Sequence, residues 1–143
     1  MNIFYLHRDP YKAAEYQYNK HVVKMILESA QMLCTAHHHY AEQSEADVGY
    51  IPYKKAHYNH PSTKWVRESD EHYMWLFDHM VALGEEYTKR YGKTHLTINK
   101  CFLPLYTPKV CPINCGNIVD LLDHVFITCF LSSLFNFSTF FIK

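Results

Sequence analysis

A stripe of polar side chains offers the first chemistry. Gln17, His21, Lys24, Glu28 and Gln31 recur at spacings of 4, 3, 4 and 3. At 100° per residue they fall on one narrow strip of a helix. That strip borders an apolar face of Ala14, Tyr18, Val22, Met25, Ser29, Met32 and Leu33, so it is not the far, solvated side. A carboxyl at such a border can have its pKa raised and serve as acid or base. His21 and Lys24 could hold that carboxylate or bind phosphate. The same spacing also suits a solvated edge laced by i,i+4 pairs such as Lys24–Glu28, and spacing alone leans to that plainer reading.

A second group lies in "AHYNHPSTKWVRES", Ala56 to Ser69. Pro61 and Ser62 suit a helix N-terminus, where free N–H groups attract anions. Lys64 and Arg67 fall in the first two turns, a position mildly unfavourable for the helix itself. A phosphate site would tolerate that conflict, and His60 stands beside it. His37, His38, His39, His57 and His60 could bind zinc, yet no H-E-x-x-H and no Cys-x-x-Cys occurs. Cys111 and Cys115, with Cys101 before and His124 after, are better read as free thiols. Neither a metal nor a cofactor is expected. Gly-rich phosphate loops, G-x-S-x-G and the dinucleotide fingerprint are all missing. Aromatic rings can stack on bases, but at helical period they are expected in the core.

These groups need elements to position them. Residues 2–6 are apolar and too short for a helix, which predicts a short strand or a buried arm. Asp9 then reads as an N-cap, with Pro10 in the first turn. The period predicts a helix over 11–36, without Gly or Pro inside. Residues 38–61 read as a long polar loop. A second helix is predicted over 62–91, with Trp65, Ser69, Tyr73, Leu76, Met80, Leu83 and Tyr87 on one stripe. Lys89 and Arg90 fall in its last turn and Gly92 serves as C-cap. Residues 93–118 look irregular. Residues 125–142 reach the lower length limit of a membrane span, but their Ser, Thr and Asn residues favour a packed third helix or a poorly folded tail.

The 143 residues suit one domain. Lys plus Arg and Asp plus Glu are 14 each. A strongly basic nucleic-acid binder is thereby excluded, and any such contact must come from a local patch. Eleven histidines make the charge pH-sensitive below about 7. Five cysteines, an odd number, and an opening segment unlike a secretory signal predict a reducing, cytoplasmic setting.

The order "LH", "KHVVKMILESAQML", "YNHPSTKWVRES", "YMWLFDHMVALGEEYTKRYGK" resembles the small all-helical pyrimidine-dimer DNA glycosylase/AP-lyase superfamily, known from a phage endonuclease V, over residues 1–95. The resemblance implies that the α-amine of the N-terminal residue attacks the sugar C1′ and forms a Schiff base. It also implies a catalytic Glu seven residues after a His, and His21 and Glu28 have that separation. Basic residues directly before that Glu and three after it contact DNA in the family. Here those positions hold Leu27 and Gln31. Exposing Asn2 as the nucleophile requires removal of Met1, for which Asn2 is bulky; otherwise Met1 supplies the amine. Residues 96–143 depart from the family's ending.

The expectation is therefore an all-α, compact single domain. Two long packed helices, 11–36 and 62–91, are joined by a long loop, with a shorter C-terminal helix added. Residues 1–95 form the glycosylase-like core and 96–143 a divergent segment of the same domain. The N-terminal arm sits near His21 and Glu28. The expected activity is that of a DNA glycosylase/AP lyase on damaged or modified pyrimidines. Glu28, His21 and Asn2 would be catalytic; Lys24, Gln31, His60, Lys64 and Arg67 would contact substrate. Damaged duplex DNA is the partner, and no membrane. Two other readings stand beside it: a non-catalytic phage-type accessory or binding protein on this scaffold, and a His-rich metal-dependent enzyme.

Overall fold

Helix ends are set by groups that satisfy the first free N–H donors and the last free carbonyls. At the first such end, Asp9 Oδ1 accepts from the Tyr11 and Lys12 amides at 2.9 and 3.4 Å, and Pro10 opens the helix. A computed structural model describes residues 1–44 and 49–106 and gives five helices. They are α1 (Pro10–Glu15), α2 (Asn19–Ser44), α3 (Pro61–Val66), α4 (Asp70–Tyr91) and α5 (Leu96–Tyr106). The protein is all-α, and no strand occurs among the described residues.

Each of the two predicted long helices is broken, for different reasons. The first stops at Glu15 and restarts at Asn19. Arg90 reaches in from α4 and donates to Glu15 O, Gln17 O and Asn19 Oδ1 at 2.8–3.1 Å. Its guanidinium is held by Glu86 at 2.9 Å. Carbonyls that a continuous helix would use internally are satisfied there by a distant side chain. The break also overturns Tyr18 as a core residue, since it stands 79% exposed. The second helix breaks at Arg67–Ser69, where Ser69 caps α4 by accepting from the His72 amide at 3.2 Å. Asp70 and Glu71 then fall in a first turn that favours negative charge.

Two further boundaries differ from expectation. Helix α2 runs on through His37–His39 to Ser44, into the stretch expected to be loop. Helix α5 lies where irregular chain was expected, and it buries Thr97, Cys101 and Leu105. Gly84 permits its close approach: a Cβ there would meet Ile98 Cγ1 at 2.7 Å. Gly92 ends α4 in the left-handed region at φ 67, as expected of a C-cap. The expected helix over 125–142 lies outside the described residues.

The core lies between α2 and α4, with α1 laid across α4 and α5 against both. Val22, Ile26, Met32 and Leu33 meet Tyr73, Leu76, Met80 and Leu83, all fully buried. Each large side chain of this kind stabilises the fold by about 2 kcal/mol. Tyr73 also donates to Leu105 O at 2.9 Å, tying α5 to the core. No described helix is long and apolar enough to cross a membrane.

Candidate active site

Residues 1–7 take no regular structure, and their side chains divide between two sets of neighbours. Phe4 turns to α2 and stacks on His21, with centroids 4.6 Å apart and planes 6° from parallel. Gln17 Nε2 donates to Phe4 O at 3.3 Å. Met1, Ile3 and Tyr5 turn the other way. The Met1 side chain is 2% exposed and its sulfur accepts from the Thr63 hydroxyl at 3.9 Å. Tyr5 packs on Trp75 at 4.6 Å, and Trp75 Nε1 donates to Arg8 O at 2.7 Å. The arm is thus fixed at both ends of its run.

This fixing brings the chain's first nitrogen to Glu28. The Met1 ammonium lies 3.7 Å from Glu28 Oε2, and the Asn2 amide donates to the same oxygen at 3.0 Å. Lys24, one turn back on α2, approaches Glu28 Oε1 at 3.4 Å. Glu28 is 13% exposed at the side chain and Lys24 70%. One carboxylate therefore faces an amine on one oxygen and a lysine on the other. Such a group can accept a proton from the amine and return it to an oxygen of a bound molecule. His21 sits two turns earlier on α2. Its ring is stacked by Phe4 on one face and met edge-on by Tyr18 at 6.1 Å. Gln17, Tyr18, Asn19, Lys20 and His21 line a shallow pocket of about 460 Å³ beside it.

Of the residues picked out by sequence, Glu28, Lys24 and Asn2 converge, and His21 joins them only through Phe4 of the arm. With Met1 in place the Asn2 nitrogen is a peptide N–H and the ammonium is that of Met1. Gln31 is half-buried one turn beyond Glu28. The members of the second group take separate places. His60 is itself the N-cap of α3, its Nδ1 accepting from the Ser62 amide at 3.3 Å. Lys64 is exposed on α3. The Arg67 guanidinium lies 4.0 Å over the Tyr58 ring and donates to Tyr58 O at 3.0 Å. Arg67 is the C-cap of α3, and its guanidinium reaches back onto the loop before that helix. Phe4 and Thr63, which hold the arm, had no signal in the sequence beyond the apolar opening.

The histidines do not gather. His37 meets Tyr73 OH at 2.6 Å, His38 meets Tyr53 O at 2.9 Å, and His39 meets Tyr58 OH at 2.8 Å. Consecutive helical residues point 100° apart, so each finds its own partner. Among the described residues no three His, Cys, Asp or Glu side chains form a metal-ligating group.

The family model described as pyrimidine dimer DNA glycosylase matches residues 1–99. The chain belongs to the pyrimidine dimer DNA glycosylase family. The match covers the arm, α1 to α4 and the start of α5, and therefore the whole Met1–Glu28 arrangement. At family level it assigns a glycosylase function on DNA. Comparison with curated proteins and with solved structures returns no match. With zero formal net charge, a family member must meet DNA through local cations. Arg8, Lys12, Lys20, Lys24 and Lys64 are all exposed on the arm and on α1 to α3.

Proposed function

We propose that the protein is a DNA glycosylase/AP lyase for damaged or modified pyrimidines, using its N-terminal amine as nucleophile. The observation that carries this reading is the Met1 ammonium within 3.7 Å of the Glu28 carboxylate. Glu28 takes a proton from the ammonium and frees the nitrogen lone pair. The nitrogen bonds to C1′ as the C1′–base bond breaks, and the base leaves with the bonding pair. The departed base anion takes a second proton from the nitrogen, Glu28 returns its own proton to the sugar ring oxygen, and the nitrogen lone pair opens the ring to give the protonated Schiff base. His21 orients the arm through Phe4, while Lys24 holds the second oxygen of Glu28. Gln31, His60 and Lys64 border the DNA path, and Asn2 anchors the arm through its amide. Arg67 supports the loop that ends at His60.

The test is borohydride trapping on a duplex carrying one thymine dimer, with an undamaged duplex as control and mass spectrometry of the adduct. An adduct at the N-terminal residue on damaged DNA alone supports the reading. Absence of an adduct from folded protein rejects it in favour of a non-catalytic DNA-binding protein. That second reading draws on Leu27, which is 38% exposed beside Glu28 where the family carries a basic residue.

A further inference from the structure

On the opposite side of the arm from Glu28 lies an open cleft of about 760 Å³. Ile3 and Tyr5 of the arm, Trp65 and Glu68, and Glu71 and Trp75 at the start of α4 all contribute to its wall. The two indole planes stand 83° apart with centroids at 6.2 Å, forming a corner, and Tyr5 packs against Trp75. No lysine or arginine lines the cleft. Both acidic residues are exposed, and among the described residues neither has a Lys or Arg ion-pair partner. Glu68 approaches only His72 Nδ1, at 3.9 Å, and that nitrogen already meets Trp65 O at 2.9 Å.

Elsewhere the molecule places its own cations over rings. Lys55 and Arg67 lie over Tyr58 and Lys100 over Tyr53, at 4.0–4.8 Å. Among the described residues no Lys or Arg lies over Tyr5, Trp65 or Trp75 of the cleft, whose fourth ring, His72, stacks on Trp65 with centroids 4.1 Å apart. Aromatic faces and carboxylates both attract a cation, and the same carboxylates repel phosphate. Ile3 gives an apolar surface for an alkyl stem.

We propose that this cleft binds an alkylammonium group, its stem on Ile3 and the rings and its head between Glu68 and Glu71. The ligand is a free polyamine or the lysine side chain of a partner, which share that chemistry. The proposal does not depend on the glycosylase reading, and borohydride trapping leaves it untouched.

Both tryptophans of the chain line the cleft, so intrinsic emission reports its occupancy. The experiment titrates the full-length protein with spermidine and with Nα-acetyl-lysine amide at constant ionic strength. 1-Pentanol serves as an uncharged stem and dAMP as a competing class of ligand. The expected result is a saturable emission change with both amines and none with pentanol. The double variant Glu68→Gln/Glu71→Gln, changed only at exposed positions, shifts the midpoint at least about fivefold. The tighter of the two amines identifies the source. An equal response to pentanol, an unshifted midpoint in the variant, or tighter saturation by dAMP would each overturn the proposal.

Discussion

The two sides of the N-terminal arm are built to opposite electrostatic plans. Toward α2, the arm presents an amine and an amide to one largely buried carboxylate, with Lys24 as the nearest charged neighbour. Toward α3 and α4, it presents Ile3 and Tyr5 to two tryptophans and two exposed carboxylates without a lysine or arginine. One side concentrates cations around a shielded acid, as a site that meets phosphates requires. The other exposes acids around aromatic rings and excludes phosphate. Seven residues without regular structure suffice for this because Phe4 turns to α2 while Met1, Ile3 and Tyr5 turn toward α3 and α4.

Four changes would break or sharpen this contrast. Glu28→Gln is expected to lower adduct formation at least about 100-fold, with helical circular dichroism and tryptophan emission unchanged. Full activity in that variant would remove Glu28 from the chemistry. Phe4→Ala strips the ring from His21. It is expected to slow trapping about tenfold by loosening the amine, and to cost about 1–2 kcal/mol in urea unfolding because the ring is only half-buried. An unchanged rate would mean that the backbone contact at Asn2 positions the arm alone.

Trp75→Phe acts on the opposite side. It leaves Arg8 O without its donor, at an expected cost of about 1 kcal/mol, while trapping stays within about twofold. A larger rate loss would show that the two sides are not independent. The smallest effect concerns His79, buried beneath Trp75 with ring centroids 4.9 Å apart and its Nδ1 donating to Pro10 O. Burial holds its pKa below the ordinary 6.5. Below that pH the unfolded chain gains a proton that the folded chain resists, so stability falls on acidification. The expected loss is about 0.5–1 kcal/mol per pH unit just below pH 6.5. Urea midpoints measured across that range should show the slope, and His79→Gln should flatten it; an unaltered slope assigns it to other histidines.

The sequence was most legible where causes are local. Asp9, Pro10 and Gly92 cap helices as their chemistry predicts, and the stripes Val22–Met25–Met32–Leu33 and Tyr73–Leu76–Met80–Leu83 are the core. His21 and Glu28 share a side of α2, and the arm lies against it. Ser69 followed by Asp70 and Glu71 was a readable helix start, hidden because the apolar stripe runs through it. The break at 16–18 was not readable. It depends on Arg90, 71–75 residues away from the groups it binds. The three consecutive histidines suggested a cluster only while they were assigned to a loop. On a helix they diverge. Helix α5 was hidden by its Pro104 and by flanking prolines, with Gly84, in another element, admitting it.

The Arg90 corner bears on the order of folding events. A chain from Tyr11 onward that has not yet met α4 has the local pattern of one uninterrupted helix. It must bend at Tyr16–Tyr18 only when the guanidinium arrives. Its bonds need loop closure over some seventy residues, so the corner is locked only once α4 lies against it. The arm is joined to α1, and the first nitrogen of the chain therefore reaches Glu28 only in a molecule whose helices are already assembled.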